Sequence, residues 1–282
     1  VPIMPMSSMP CSVPAPRRLP EPFPEDAAGT LVRTTLADYP GRLAAAVFLR
    51  GCNLRCPYCY NRALVLPDGG GEGFVGAGDI LSHLAKRRNV LSALVISGGE
   101  PLLNPLTPQL IRAARSLGYK IKLDTNGTLP RLLEQFCASA ELRPDYVAMD
   151  IKTAPQRYAE LVPRPGGSVQ PPSQFPAAAG TAVAPDGAAL AAALRESAAL
   201  LAREYEPDCR EWRTVLVPGL VGERDIEAAA ALLPCDAQWY FSPFRGGGCL
   251  DPAFDALPPY SDSDMQRLVA AARRTIPGAR LR

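Results

Sequence analysis

Ala44-Ala45-Ala46-Val47-Phe48-Leu49-Arg50-Gly51-Cys52-Asn53-Leu54-Arg55-Cys56-Pro57-Tyr58-Cys59 runs from an apolar segment straight into three closely spaced cysteines. The apolar half reads as a short buried strand of a parallel sheet. The polar half carries a C-x3-C-x2-C spacing, three thiolates in one loop, with no fourth cysteine at comparable distance. A structural zinc site wants four ligands, commonly as two pairs. The single histidine, His83, stands well outside the loop, and Cys137, Cys209, Cys235 and Cys249 are scattered singly. Three thiolates on a four-iron cluster leave one iron open to a small chelating ligand. Cys52, Cys56 and Cys59 are therefore read as ligands of an iron–sulfur cluster.

Outward from this stretch, strands and helices alternate. Strands are expected at residues 93–96, 120–123, 146–149, 212–217 and 238–241, after a short edge strand at 31–35. Helices are expected at 79–88, 105–117, 130–138, 155–161, from 188 onward and at 224–233. Ser261 to Asp264 has the form of a capping box, opening a last helix with Met265, Leu268, Val269 and Ala272 facing inward. Six strands alternating with helices imply an α/β fold with a parallel sheet and right-handed crossovers. Such a sheet keeps its chemistry in the loops after the strands.

Polar motifs sit at those strand ends. Ser97-Gly98-Gly99-Glu100-Pro101 closes one strand; adjacent glycines let the backbone approach a ligand, and Glu100 could accept from an ammonium group. A tight turn before a helix explains the same residues. Asp124-Thr125-Asn126-Gly127-Thr128 follows the next strand, and a helix N-cap or Asx turn is its plainer reading. Asp150-Ile151-Lys152 puts Asp150 and Lys152 on one strand face, where a solvated ion pair is the plainer reading. Val217-Pro218-Gly219 could present a backbone edge to a flat ring.

The chain has 282 residues and a formal net charge of +2, which leaves no electrostatic footprint for nucleic acid or a membrane surface. No apolar run approaches the ~18 residues of a membrane span, and no secretory signal is expected at the start. Eight cysteines then fit metal chemistry in a reducing cytoplasm better than a disulfide framework. Residues 1–28 hold eight prolines and are expected to form a disordered tail. Residues 163–187 hold six prolines and four glycines and are expected to be a low-complexity insertion in a barrel spanning 29–250. Residues 251–282 would add a loop and helix packed on that barrel.

Taken in order, the cysteine loop, Gly98-Gly99-Glu100, Asp124 to Gly127, Asp150-Ile151-Lys152 and Val217-Pro218-Gly219 resemble the radical S-adenosylmethionine enzymes. Within them the chain is most similar to activating proteins of glycyl-radical enzymes, specifically those of anaerobic ribonucleoside-triphosphate reductase. Asp38-Tyr39-Pro40-Gly41 and the 213–219 segment narrow it to that branch. Tyr60 stands where these activases often have histidine.

The resemblance implies a partial (β/α)6 TIM-like barrel, a 4Fe–4S cluster on Cys52, Cys56 and Cys59, and S-adenosylmethionine chelated to the open iron. It implies Tyr58 near the adenine, with Val217 lining the adenine site. Gly98, Gly99 and Glu100 would hold the methionine ammonium. Asp124, Thr125, Asn126, Asp150 and Lys152 would contact the methionine carboxylate or ribose. The implied partners are a glycyl-radical enzyme and a one-electron donor such as flavodoxin or ferredoxin. Two rivals remain open: an activase of another glycyl-radical enzyme, or a small-molecule enzyme such as a deazaguanine synthase. A non-catalytic metal-binding module is the alternative from a different class.

Overall fold

The computed structural model describes residues 27–66, 73–163 and 187–282. The expected tail and insertion lie almost wholly outside the described residues. β1 (Ala27–Thr35) pairs antiparallel with β2 (Ala44–Leu49). The turn between them closes when the Arg42 N–H donates to Tyr39 O at 3.2 Å, with Gly41 at φ 69°, a conformation glycine takes freely. After the cysteine loop come a single turn, α1 (Arg62–Val65), then β3 (Val75–Gly76) and α2 (Ala77–Arg87). The alternation continues through β4 (Ala93–Gly98), α3 (Leu106–Ser116), β5 (Lys120–Thr125), α4 (Pro130–Ala138) and β6 (Tyr146–Asp150). It resumes with α5 (Gly187–Glu204), β7 (Arg210–Leu216), α6 (Glu223–Ala230) and β8 (Trp239–Pro243). α7 (Asp262–Arg273) and β9 (Arg280–Leu281) follow.

These strands form one open sheet in the order β3-β1-β2-β4-β5-β6-β7-β8-β9. From β2 to β9 every pairing is parallel; β1 and β3 are antiparallel at one edge. The expected α/β architecture, a partial (β/α)6 barrel, is therefore present in β2 and β4 through β8 with their helices. β3 and β9 went unforeseen because a two-residue strand carries no pattern. Residues 155–161 wind as a 3₁₀ segment rather than an α-helix.

Strand periodicity sorts the residues onto two faces. Ala45, Val47, Leu49, Leu94, Ile96, Ile121, Leu123, Val147 and Met149 join the large core under the helices. Ala44, Ala46, Ala93, Val95 and Tyr146 form a smaller cluster on the opposite, inner face. The register Val95↔Lys122, Asp124↔Ala148 and Asp150↔Arg213 carries that inner face onward. It places Lys122, Asp124, Asp150, Glu211 and Arg213 together inside the barrel.

Helices cover the other face through their apolar sides. In α3, Leu106, Leu110, Ile111 and Ala114 recur at helical spacing and are buried. At α7 the Asp264 N–H donates to the Ser261 hydroxyl at 3.2 Å, the expected cap, a contribution of about 1 kcal/mol. β7 begins at Arg210, two residues before the expected start. Its first two residues are charged and read as loop, yet Arg210 is buried against Asp236 at 2.7 Å and Glu211 against Lys122 at 3.3 Å.

Candidate active site

The cysteine loop leaves β2 through Arg50 and Gly51, and the β4 loop lies directly against it. The Gly99 N–H donates to Leu49 O at 2.9 Å and the Glu100 N–H to Gly51 O at 2.7 Å. A Cβ on Gly99 would stand 1.9 Å from Gly51 O, and one on Gly98 2.3 Å from Leu49 N. The paired glycines are thus demanded by two backbones in contact. Within the loop, the Cys59 N–H donates to Cys56 O at 3.0 Å and the Leu54 N–H points at Cys52 Sγ at 3.4 Å.

A cavity of about 170 Å³ opens between these loops. Cys52, Cys56, Cys59 and Tyr58 form one wall, and Gly98 and Gly99 a second. Asp124, Thr125 and Asn126 form a third, with Asp150, Lys152 and Val215 closing it. Burial pushes the Cys52 thiol up to about 11 and the Cys56 thiol to about 12, so metal binding here must release protons. The Tyr58 hydroxyl is buried with no hydrogen-bond partner among the described residues.

Two expected residues stand elsewhere. Val217 is fully buried in the core and does not line the cavity; Val215 does. Glu100 is buried and its carboxylate is spent inside the protein. It accepts from the Leu102 N–H at 3.2 Å, the Thr125 hydroxyl at 2.9 Å and the Asn126 N–H at 2.7 Å. Burial outweighs these bonds and lifts its pKa to about 7. Glu100 therefore ties the β4 loop to the β5 loop. Asn126 extends the tie, donating to Asn53 Oδ1 at 2.9 Å, while Asn53 donates to the Thr128 hydroxyl at 2.7 Å.

Below the cavity lies a ladder of charges that sequence reasoning only partly saw. Arg213 donates from Nε to Asp150 at 2.8 Å and from Nη1 to Asp124 at 3.0 Å. Lys152 meets Asp150 at 2.9 Å, and Lys122 meets Asp124 at 3.0 Å. Burial alone would raise the Asp150 carboxyl, but Arg213 and Lys152 overcome it and hold the group well below the usual range. Asp124 is lowered in the same way, by Arg213 and Lys122 against burial. Glu211 and Arg213 at i, i+2 in a buried strand were the available signal for this ladder. A second cavity, about 340 Å³, adjoins the first through Asp150, Lys152 and Val215 and takes in Asp38, Arg213 and Ser242.

His83 lies on α2 against the Arg33 carbonyl at 2.8 Å, apart from both cavities. Tyr60 is half exposed, stacked on Phe244 with ring centroids 6.2 Å apart, and its hydroxyl accepts from the Arg245 N–H at 2.7 Å.

Residues 46–171 match the family model of the Radical SAM superfamily. That stretch is similar to radical SAM domains. A provisionally named glycyl-radical enzyme activating enzyme of Methanocaldococcus jannaschii, MJ1227, is 28% identical over 248 residues, 87% of this chain and 91% of that protein. A 7-carboxy-7-deazaguanine synthase of Hyperthermus butylicus is 38% identical over 94 residues, 33% of this chain and 38% of that one. The crystal structure of SuiB from Streptococcus suis superposes with a TM-score of 0.51 at 14% identity, covering 84% of this chain and 46% of SuiB, a likeness of fold.

The superfamily uses a 4Fe–4S cluster and S-adenosylmethionine. The cysteine loop and its cavity fit them on two counts. The three thiols line one wall of the cavity, and a four-iron cluster takes one thiolate per iron. The unpartnered Tyr58 hydroxyl and the polar rim would supply contacts for a cosubstrate. Among the described residues no helix is long and apolar enough to cross a membrane.

Proposed function

We propose that this chain activates a glycyl-radical enzyme, with anaerobic ribonucleoside-triphosphate reductase as the partner. The observation that carries the reading is the likeness to MJ1227, which runs the length of both proteins, whereas the deazaguanine synthase likeness stops at a third of this chain. Cys52, Cys56 and Cys59 would hold the cluster. When bound and reduced by a one-electron donor, the cluster would supply the electron for reductive cleavage of S-adenosylmethionine, the chemistry needed to remove a hydrogen atom from the Cα of the partner's glycine.

The chain's own residues bind and orient. Backbone carbonyls at Gly98 and Gly99 would receive the methionine ammonium, with Glu100 tying their loop to the β5 loop. Asp124, Thr125, Asn126, Asp150 and Lys152 would face the methionine carboxylate or ribose, and Tyr58 and Val215 the adenine. Hydrogen transfer needs the glycine at roughly 3–3.5 Å from the radical carbon. The adjoining 340 Å³ cavity gives a partner's loop a polar space beside the first cavity. A flavodoxin or ferredoxin would deliver the electron.

The test is anaerobic reconstitution with iron and sulfide, then reduction in the presence of S-adenosylmethionine and the reductase. A glycyl-radical signal in electron paramagnetic resonance is expected on the reductase. Formation of a carboxylated deazaguanine instead, with no signal on the reductase, would establish the small-molecule reading. Absence of 5′-deoxyadenosine from iron-loaded protein would rule out both.

A further inference from the structure

Arg55 stands in the three-residue spacer between Cys52 and Cys56. Its Nη1 donates to Cys52 O and to Leu54 O, both at 2.8 Å, and its own N–H donates to Leu161 O at 2.6 Å. The guanidinium is thus bolted to the loop at a fixed place. Its Nε and Nη2 are buried and make no hydrogen bond among the described residues. Lys152, the other cation near the thiols, spends its charge on Asp150 at 2.9 Å. Burial lowers the Arg55 pKa, and the three cysteines beside it oppose that shift.

An arginine remains charged in such a place, and a buried charge without a counter-ion is costly. Cysteine binds iron as thiolate, so a loaded loop places negative charge beside the guanidinium. We propose that Arg55 is the built-in counter-ion of the loaded cysteine loop, a positioning residue that favours the cluster's reduced state and retains its iron. This rests on the cluster reading above. A fixed positive charge in a poorly screening interior stabilises the more negative oxidation state, which raises the midpoint potential.

The test uses the full chain, reconstituted without oxygen, as wild type, Arg55→Met, Arg55→Gln and Arg55→Lys. Redox titration followed by electron paramagnetic resonance gives the midpoint, and a ferrous chelator gives the rate of iron loss. The Met and Gln variants should have a one-electron reduction constant at least about tenfold lower, a shift of about 59 mV to more negative potential, and should lose iron faster. The Lys variant keeps the charge and should stay near wild type.

Unshifted or positively shifted Met and Gln variants overturn the inference, as does a Lys variant displaced as far as Met. Should the uncharged variants fold by circular dichroism yet hold no iron, a loaded Lys variant supports the inference and an empty one overturns it. Failure of wild type to load iron sinks the cluster reading and this inference with it. A loaded wild type whose variants match it sinks this inference alone.

Discussion

Replacing Gly99 with alanine strikes the contact on which the cavity depends. The added Cβ would sit 1.9 Å from Gly51 O and 2.6 Å from Gly51 C, both backbone atoms that cannot swing aside. Ordinary contact begins at 3.4 Å, so the two loops must separate by 3.4 − 1.9 = 1.5 Å. That movement also strains the 2.7 Å bond from the Glu100 N–H to the same carbonyl. Overpacking costs about 1–3 kcal/mol and the lost bond about 0.5–1.5 kcal/mol. Against a total stability of roughly 5–15 kcal/mol, the sheet still folds.

Thermal unfolding of the metal-free protein should shift down by roughly 2–4 °C for each kcal/mol lost. The larger loss falls on function. Displacing the cysteine loop by more than an ångström should cut iron loading and lower 5′-deoxyadenosine formation by about a hundredfold. Gly78→Ala serves as the control, because a Cβ there meets nothing within 4 Å and the residue lies in α2, where alanine gains up to about 1 kcal/mol. A Gly99→Ala protein with wild-type melting and full iron would refute the reasoning.

Three other perturbations probe the same site. Glu100, lifted from 4.5 to about 7, binds its proton more tightly in the folded chain, so it favours folding below about pH 4.5 and that contribution fades as pH rises through about 7. Glu100→Gln should flatten this decline; equal urea-midpoint slopes between about pH 5 and 8 in both proteins would contradict it. Arg213→Met leaves Asp124 paired with Lys122 alone and Asp150 with Lys152 alone and should cost about 1–3 kcal/mol in denaturant titration, with Arg213→Lys recovering only part because it cannot bridge both carboxylates; a Met variant as stable as wild type would remove the ladder from the account. Cys56→Ala should abolish iron uptake with an unchanged circular dichroism spectrum, while Cys209→Ala retains full iron; iron measurement after reconstitution decides both.

The fold was legible where a pattern had room to repeat. The apolar run Ala44–Leu49 and the segment Pro130–Ala138 were read to the residue. β9 was not, since two exposed residues can pair with β8 without any hydrophobic signature. The cysteines were legible because the spacing itself is the signal. Glu100 and Val217 were placed in the cavity by resemblance, and a string of letters carries no information about which way a side chain turns. Glu100 turns inward because three donors await it there. Arg213 was missed as a bridge because its two partners lie 63 and 89 residues away in sequence, joined only by sheet register.

The stack of Tyr60 on Phe244 joins rings far apart in sequence, and the bond from the Arg245 N–H to the Tyr60 hydroxyl joins residues 185 positions apart. The Asp251 N–H adds a bond to Pro57 O at 2.9 Å from the same late stretch. At about 5–20 residues per second, a ribosome takes on the order of ten to forty seconds to make that intervening chain. Through that interval the nascent cysteine loop lacks these late contacts. Iron delivered during translation and iron delivered after release therefore meet two different surfaces.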